Sequence, residues 1–212
     1  MPSRSRREGI VTSERKELDW HEPSGWPDDA KRDRLIGDWH IYQRKGGHRT
    51  STDDLIAAWY AVHRNPVAQT GRIGSYLDLG CGVGSVLLMV CHKLCPVRAV
   101  GVEAQEQSAA MSARAVAELP ENDSVLSIVQ SDFRDLDDEI LSGGFDLITG
   151  SPPYFPLNAG VLPNDAQRRA CRFEARGGVE AYLTTAAKAL SDNGRFYIVH
   201  QTTWAERVLA GA

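Results

Sequence analysis

Short apolar runs alternate with amphipathic stretches through most of the second half of the chain. Runs such as SYLDLG and FDLITG have the length of buried strands, whereas the segments between them repeat apolar positions at helical spacing. The pattern predicts strands at 75–80, 99–103, 124–130, 145–150 and 195–200, and helices at 84–95, 105–118 and 178–190. Buried strands that alternate with helices indicate an α/β fold of the Rossmann-like, doubly wound type, with a mostly parallel sheet and helices on both faces.

The pattern ahead of this region is different. WHIYQ at 39–43 is strand-like, residues 44–47 predict a turn, and Thr52 or Asp53 predicts the cap of a helix over 53–64. A hairpin and a helix are therefore expected before the main sheet.

The first residues of the chain have mixed charges and few aliphatic side chains, a composition typical of a flexible arm. The sequence therefore predicts a flexible charged N-terminal arm at 1–38 and a folded domain at 39–212. Within that domain we expect an N-terminal hairpin and helix at 39–70 and a Rossmann-like core at 71–212.

The composition is that of one soluble domain with an appendage. The chain has 212 residues, a formal net charge of −4 and four cysteines, and no apolar run is long enough to cross a membrane. So few, unevenly spaced cysteines do not form a disulfide framework, which favours a reducing setting, cytoplasmic or nuclear, and we expect the cytoplasm. Cys91, His92 and Cys95 lack a second ligand pair, so we expect buried thiols and no metal site.

The residues that follow each predicted strand carry the candidate chemistry, because ligands of such sheets bind beyond the carboxyl ends of the strands. After the first core strand, Gly80, Gly82 and Gly84 form a G-x-G-x-G turn that allows a ligand to approach the backbone closely. Asp78 lies two residues before this turn. The dinucleotide fingerprint has a different spacing, and a pyrophosphate needs no acid there, so Asp78 indicates a ligand with a positively charged amine.

Acidic residues after the next two strands complete a nucleoside site. Glu103 ends the second strand and can accept hydrogen bonds from both hydroxyls of a ribose. Asp132 follows the third strand and can accept from an adenine amino group, while the ring of Phe133 can cover the adenine. An adenosine site with an amine-bearing tail describes S-adenosylmethionine. A nicotinamide-binding Rossmann domain, or glycines that serve only as a turn, are the alternatives.

A proline motif, Ser151-Pro152-Pro153-Tyr154-Phe155, follows the fourth strand directly. The prolines fix the backbone at a strand end, where carbonyl oxygens have no partner in the sheet. A planar exocyclic amine can donate to the Pro152 carbonyl and the Ser151 hydroxyl while Tyr154 stacks on the flat group, and Pro153 and Phe155 complete the substrate site. Because a sulfonium methyl is already activated, positioning suffices and no strong general base is needed. A turn that only closes the strand is the alternative.

These motifs resemble the class I S-adenosylmethionine-dependent methyltransferases over about residues 40–200. The proline motif is similar to the [Asn/Asp/Ser]-Pro-Pro-[Tyr/Phe] segment of members that methylate adenine N6, cytosine N4 or a glutamine amide. The resemblance implies that Asp78 and the glycine turn hold the methionine end of the cofactor, and that Ser151 and Tyr154 present the acceptor amine. Serine at the first position is commoner in the cytosine-N4 enzymes.

A second stretch resembles the bacterial tRNA methyltransferases that form N6-methyladenine beside the anticodon of valine tRNA. Gln43, Gly47, Arg49 and Asp53 match the Gln-x-x-x-Gly-x-Arg-x-x-x-Asp spacing of that family, and residues 163–174 resemble its Arg-x-Glu segment. The resemblance implies that Gln43 and Arg49 belong to a hairpin that covers the cofactor, and it makes tRNA the expected partner. A hairpin and a capped helix without this role are the alternative.

Arginines cluster after the proline motif. Arg168, Arg172 and Arg176 share one face if this segment is helical, and like charges at that spacing disfavour a helix unless an anion is near. Phosphate contacts by Arg168 and Arg172 would explain them, and so would a solvated basic face or pairing with Asp165. A nucleic-acid acceptor would offer a flipped or loop base, because a base inside a stem cannot reach a deep cleft.

Three other functions remain open at this point. A protein-glutamine methyltransferase expects Asn where Ser151 stands, whereas a DNA cytosine-N4 enzyme suits Ser151 but lacks an evident target-recognition domain here. A non-catalytic subunit with the same fold is the third.

The residues after the fifth strand bear on that third function. Class I methyltransferases add two strands at this place, and HQTTWAERVLAGA cannot supply them. We expect an exposed apolar edge at 195–200 that a partner or a missing segment covers, and a chain that is poorly stable as a monomer.

Overall fold

The computed structural model describes residues 26–66, 73–120 and 124–212. The strands are β1 (Ala30–Ile36), β2 (Trp39–Arg44), β3 (Ser75–Leu79), β4 (Arg98–Glu103), β5 (Val125–Gln130), β6 (Phe145–Gly150) and β7 (Leu190–Ile198). The α-helices are α1 (Thr52–His63), α2 (Ser85–Leu94), α3 (Glu106–Ala117), α4 (Asp138–Leu141), α5 (Ala166–Arg172), α6 (Val179–Ala189) and α7 (Ala205–Gly211). None of the helices in these ranges is long and apolar enough to cross a bilayer.

Five parallel strands form the main sheet in the order β5-β4-β3-β6-β7. At its centre, Leu77 of β3 lies opposite Val100 of β4 and Ile148 of β6. The strand order reverses between β3 and β6, so the loops after these strands diverge and leave a crevice at the carboxyl edge of the sheet. The predicted Rossmann-like, doubly wound parallel sheet is confirmed.

Helices cover both faces of the sheet and create two apolar cores. On one face, α1, α2 and α3 pack with Tyr76 and Leu147, and β2 adds Trp39 and Ile41. On the other face, α6 packs with the side of the sheet that carries Leu77. The central strands are apolar on both sides because neither of their faces meets water, which is why their positions are evident in the sequence.

The segment ahead of the sheet contains a strand that its charges conceal. β1 pairs with β2 in an antiparallel hairpin, with Ile36 opposite Trp39. The predicted flexible arm at 1–38 is therefore wrong for residues 30–36: backbone hydrogen bonds hold this strand while most of its charged side chains face solvent. The part of the predicted arm at 1–25 lies outside the described residues.

The hairpin and the following helix differ from the prediction at their ends. The hairpin turns at Gly37 and Asp38, not at 44–47. The N-cap of α1 is Ser51, whose hydroxyl accepts from the Asp54 N–H at 3.4 Å while the Asp54 carboxylate accepts from the Ser51 N–H at 3.1 Å. This reciprocal capping box satisfies backbone N–H groups at the start of α1 and so fixes where the helix begins.

β7 begins at Leu190, well before the predicted strand at 195–200. Its register against β6 shifts between the pair that contains Leu190 and the pair that contains Arg195. The extra residues of β7, including Asn193 and Gly194, form a bulge. The strand therefore continues on both sides of an irregularity in its pairing with β6.

β7 lies at the outer edge of the main sheet. Within the described ranges, β7 pairs only with β6 and so forms one edge of the sheet.

Cys91 is buried as expected, whereas Cys95 is exposed, so the prediction of a buried thiol is wrong for Cys95. Cys95 follows the last residue of α2 with a left-handed φ of 44°, which turns it away from the buried face of the helix.

Truncation of the central strand tests this packing. Leu77 is 0% exposed, so Leu77→Ala should lower the free energy of unfolding by about 2–5 kcal/mol, as is usual for a large side chain removed from a tight core. Val125 on the edge strand β5 is 70% exposed, and Val125→Ala should change it by no more than about 0.5 kcal/mol. Urea unfolding of both variants measures the difference, and equal losses would contradict the two-core packing.

Candidate active site

A cavity lies beyond the carboxyl ends of β3 and β4, at the reversal of strand order. The sequence-predicted residues that line it are Asp78, Gly80, Gly82, Arg49, Glu103, Asp132, Phe133, Ser151 and Pro153. Gly80 has a φ of +65°, and a Cβ atom there would come within 2.5 Å of the Tyr182 hydroxyl. Gly82 has a φ of +58°, with open space where its Cβ atom would be. The turn therefore needs glycine at both positions, and it leaves backbone facing the cavity.

Asp78 is buried at the floor of this cavity. Its Oδ1 atom accepts a hydrogen bond from the Thr149 hydroxyl of β6 at 2.6 Å, and the Tyr76 hydroxyl lies 2.6 Å from Thr149. Its Oδ2 atom has no hydrogen-bond partner in the described part of the chain. Burial, with a smaller contribution from the nearby Asp54 carboxylate, raises the pKa of the Asp78 carboxyl to about 7, although the Thr149 hydrogen bond lowers it. A cation bound at Oδ2 would favour the charged form.

Glu103 ends β4 with both carboxylate oxygens directed at backbone N–H groups. Oε2 accepts from the Gly82 N–H at 2.9 Å, and Oε1 accepts from the Gln105 N–H at 2.7 Å. Burial raises the pKa of this carboxyl, while the two backbone hydrogen bonds lower it. Each carboxylate oxygen keeps a second acceptor position, so a pair of neighbouring hydroxyls could bind both oxygens.

Asp132 and Phe133 follow β5 and form the far wall of the cavity. The Arg134 guanidinium donates to both Asp132 carboxylate oxygens, at 2.8 and 2.6 Å, and holds the pKa of this carboxyl below its usual value. The buried ring of Phe133 packs on Tyr182, with the ring centroids 4.3 Å apart. A flat ligand would therefore meet an aromatic face beside a carboxylate that still has acceptor capacity.

A second cavity adjoins the first. Its predicted lining residues are Arg49, Ser151, Pro152, Tyr154, Phe155, Arg168 and Arg172. The residues that line both cavities are His48, Arg49, Asp54, Ser151 and Cys171. The Ser151 hydroxyl is buried at this junction without a hydrogen-bond partner in the described ranges. An acceptor group in the second cavity would therefore lie next to Ser151. The same residue would also face a ligand in the first cavity.

Gln43 is the exception among the predicted site residues, because it lines neither cavity. Its Nε2 atom donates to Asp33 of β1 at 2.8 Å, and its Oε1 atom accepts from the Thr50 N–H at 3.0 Å. Arg49 donates to the same Asp33 carboxylate at 3.0 Å and does line both cavities. Gln43 therefore shapes the loop that carries Arg49. Asp33 binds both of these residues, and it belongs to the segment predicted to be a flexible arm.

Contacts between the loop after β2 and helix α5 form a roof over the cavities. This roof consists of Gly47, His48, Gln167 and Arg168. Gln167 is buried, with its Oε1 atom accepting from the His48 N–H at 3.1 Å and its Nε2 atom donating to the Ser108 hydroxyl at 3.0 Å. The Arg168 guanidinium donates to the Gly47 carbonyl at 3.2 Å. Sequence reasoning missed Gln167, His48 and the α5 contacts, because no local pattern links segments so far apart.

The three arginines Arg168, Arg172 and Arg176 are divided between the two cavities. Arg168 and Arg172 lie one helical turn apart and line the second cavity, whereas Arg176 lies beyond the helix and lines the first. The carboxylate of Asp165 caps α5 and pairs with Arg44 at 2.9 Å. The expectation that all three arginines share one helical face is therefore wrong for Arg176.

A comparison with known families identifies the family to which this fold belongs. The family model described as "Methyltransferase small domain" matches residues 66–210. The chain belongs to the methyltransferase small domain family. The predicted resemblance to the class I methyltransferases is confirmed.

Several curated proteins resemble this methyltransferase small domain. A tRNA1(Val) (adenine(37)-N6)-methyltransferase of Yersinia enterocolitica is 30% identical over 146 residues, which cover 68% of this chain and 53% of that protein. The protein of the same name from Porphyromonas gingivalis is 30% identical over 155 residues, covering 71% and 58% of the two chains. This chain thus spans just over half the length of these relatives.

Solved structures share its fold at lower identity. The Thermus thermophilus 16S rRNA N2 G1207 methyltransferase, in complex with AdoMet and guanosine, has a TM-score of 0.59 and 19% identity over 86% of this chain and 45% of that one. A SAM-dependent methyltransferase from Agrobacterium tumefaciens has a TM-score of 0.56 and 14% identity, covering 85% and 55%. These likenesses support the sheet topology described above.

The buried acid of this methyltransferase small domain makes stability depend on pH. The folded pKa of Asp78, about 7, lies above its ordinary value of 3.8, so its stabilising contribution is full below about pH 4 and is lost as pH rises through 7. Asp78→Asn removes the titration, and urea unfolding from about pH 5 to about pH 8 should show wild type losing stability relative to the variant.

Asp38→Asn is the matched control for this measurement, because Asp38 is exposed on the hairpin turn. Its unfolding curves should follow those of wild type at every pH. A constant difference between wild type and Asp78→Asn over the same pH range would contradict the raised pKa of Asp78.

Proposed function

We propose that this chain is an S-adenosylmethionine-dependent methyltransferase that acts on an exocyclic amine, adenine N6 in tRNA. The family and the names of the curated relatives support this proposal. The observation that carries it is the buried, unpartnered Ser151 hydroxyl at the junction of two cavities, one with nucleoside-binding features and one beside the proline motif. A tRNA acceptor also agrees with the predicted cytoplasmic setting.

The residues of the first cavity fit the cofactor. The bare Oδ2 atom of Asp78 is a buried acceptor suited to an ammonium group. Glu103 presents two oxygens with free acceptor positions to the hydroxyls of a ribose, and the Phe133 ring offers a face to adenine. When bound, S-adenosylmethionine supplies a methyl group that is already activated by its sulfonium.

The protein's own task is then to orient the acceptor. Ser151 and the Pro152 carbonyl accept the two amine N–H groups, which leaves the nitrogen lone pair directed along the junction of the cavities. The Tyr154 ring lies against the flat group that carries the amine. Such positioning replaces a bimolecular encounter with a fixed geometry, and this is the main source of rate when the methyl donor is activated.

The mouth of the second cavity suits a nucleic acid. Arg168 and Arg172 are exposed there, and the Arg172 guanidinium lies 5.7 Å from the centroid of the Phe155 ring. Phosphate binding by these arginines does not conflict with the net charge of −4, because a local pair of positive charges at one cavity can bind an anion on a mildly acidic protein. A base in an anticodon loop enters such a cavity without the melting of a duplex.

Methyl transfer from labelled cofactor tests the proposal with tRNA, single-stranded DNA and protein as acceptors side by side. We expect label in tRNA, recovered as N6-methyladenosine by nucleoside mass spectrometry. Ser151→Ala should lower kcat by about tenfold, as is typical for the loss of one hydrogen bond at a buried site.

Ser142→Ala is the control for that variant, because Ser142 is exposed after α4, away from both cavities. It should behave like wild type. Label that appears only in protein or DNA would overturn the tRNA proposal, and the absence of cofactor binding by calorimetry would overturn the enzymatic proposal altogether.

The arginine contacts make a separate prediction for tRNA binding. Arg172→Ala should weaken binding and reduce the slope of log affinity against log salt by about one, because one phosphate contact is lost. Lys188→Ala removes an exposed charge from the end of α6 that leads to the amino end of β7, and it should leave the slope unchanged. Filter binding at several salt concentrations measures both, and identical slopes for wild type and Arg172→Ala would contradict the contact.

A further inference from the structure

The ring of Tyr154 is held on two sides within the second cavity. Its hydroxyl donates a hydrogen bond to the Asp53 Oδ2 atom at 2.6 Å. The ring of His200, just beyond β7, meets it edge to face, with centroids 5.3 Å apart and planes at 63°. A phenol that is bonded at its tip and packed at its side has a defined ring plane.

The start of α1 sets the backbone position of Asp53. Asp53 is the second residue of this helix, which begins after the capping box between Ser51 and Asp54. Asp54 is occupied by that box and by the Ser85 hydroxyl at 2.9 Å, so the two neighbouring acids have separate partners. The positive end of the helix dipole favours a carboxylate at this position. A fixed anion therefore faces the Tyr154 hydroxyl.

The contact belongs to the acceptor side of the site. Asp53 and Tyr154 both line the second cavity and neither lines the first. Burial and the Asp53 carboxylate raise the pKa of the Tyr154 hydroxyl well above its usual value, so the phenol stays a neutral donor. The residues that would hold the cofactor do not depend on this hydrogen bond.

We propose that Asp53 is a positioning residue: its carboxylate sets the plane of the Tyr154 ring against the flat acceptor group, and so links the start of α1 to the proline motif. This inference rests on the proposed function for its consequence in catalysis. The contact itself can be measured without any acceptor.

In catalysis, Asp53→Asn and Tyr154→Phe should each lower kcat/KM for the RNA acceptor by about tenfold, because Asp53→Asn replaces a charged acceptor with a weaker neutral one and Tyr154→Phe removes the donor. The double variant should be no worse than either single variant, since the two residues act through one contact. Tyr154→Ala should lose more, because it also removes the ring. The Kd for S-adenosylhomocysteine, measured by calorimetry, should stay at the wild-type value in all four.

The matched controls are Asp38→Asn, an exposed acid on the hairpin turn, and Tyr60→Phe, a half-exposed tyrosine on α1 itself. Both should keep wild-type kcat/KM. Additive losses in the double variant, or a raised Kd for S-adenosylhomocysteine in Asp53→Asn, would overturn the inference in favour of a general role of Asp53 in the stability of α1.

Carbon-13 NMR of tyrosine labelled at Cζ separates this inference from the proposed function. Tyr154→Phe assigns the signal, and Asp53→Asn should shift it, because the phenol then donates to a neutral acceptor instead of a carboxylate. If this shift occurs but no acceptor is methylated, the proposed function fails while the positioning of Tyr154 by Asp53 stands. An unchanged Tyr154 signal in Asp53→Asn overturns the inference whatever the enzyme assay shows.

Discussion

The structure depends on one buried junction, at which Thr149 of β6 donates a hydrogen bond to Asp78 of β3. This contact joins the two strands between which the strand order reverses, and the Tyr76 hydroxyl extends it into the core. A carboxylate in such a place is costly unless hydrogen bonds or a cation compensate for its lost hydration. One Asp78 oxygen has no hydrogen-bond partner in the described ranges. The junction that aligns the two strands therefore also favours the binding of a positively charged group at the crevice.

The distribution of charge around the crevice follows from this arrangement. Asp54, Asp78 and Glu103 line the first cavity together, and burial, followed by repulsion from the other two acids, raises the pKa of Asp78. The exposed arginines of α5 lie instead at the second cavity. A cationic small molecule inside and an anionic polymer outside are therefore favoured by the same fold, although the chain as a whole is mildly acidic.

The start of α1 connects these two regions. Its capping box points Asp54 at Ser85, where α2 begins, and leaves the adjacent Asp53 free to bind Tyr154. One helical turn thus braces the glycine turn on one side and the proline motif on the other. The roof formed by Gln167 and His48 closes over this turn, so the loop after β2 and α5 shape both cavities at once.

The sequence by itself determined the parallel core and which residues lie at its carboxyl edge. Buried strands must be apolar on both faces, and a ligand at a strand end needs glycine, acid or proline within a few residues, so Asp78, Gly82 and Ser151 are visible locally. Only the tertiary structure decided the rest. β1 is held by backbone pairing that charged side chains conceal, and Gln43 is turned away from the cavities by its bond to Asp33. The contacts Tyr154–Asp53 and His48–Gln167 join residues 101 and 119 positions apart, and such pairs have no local signal because their energy exists only once the chain has folded.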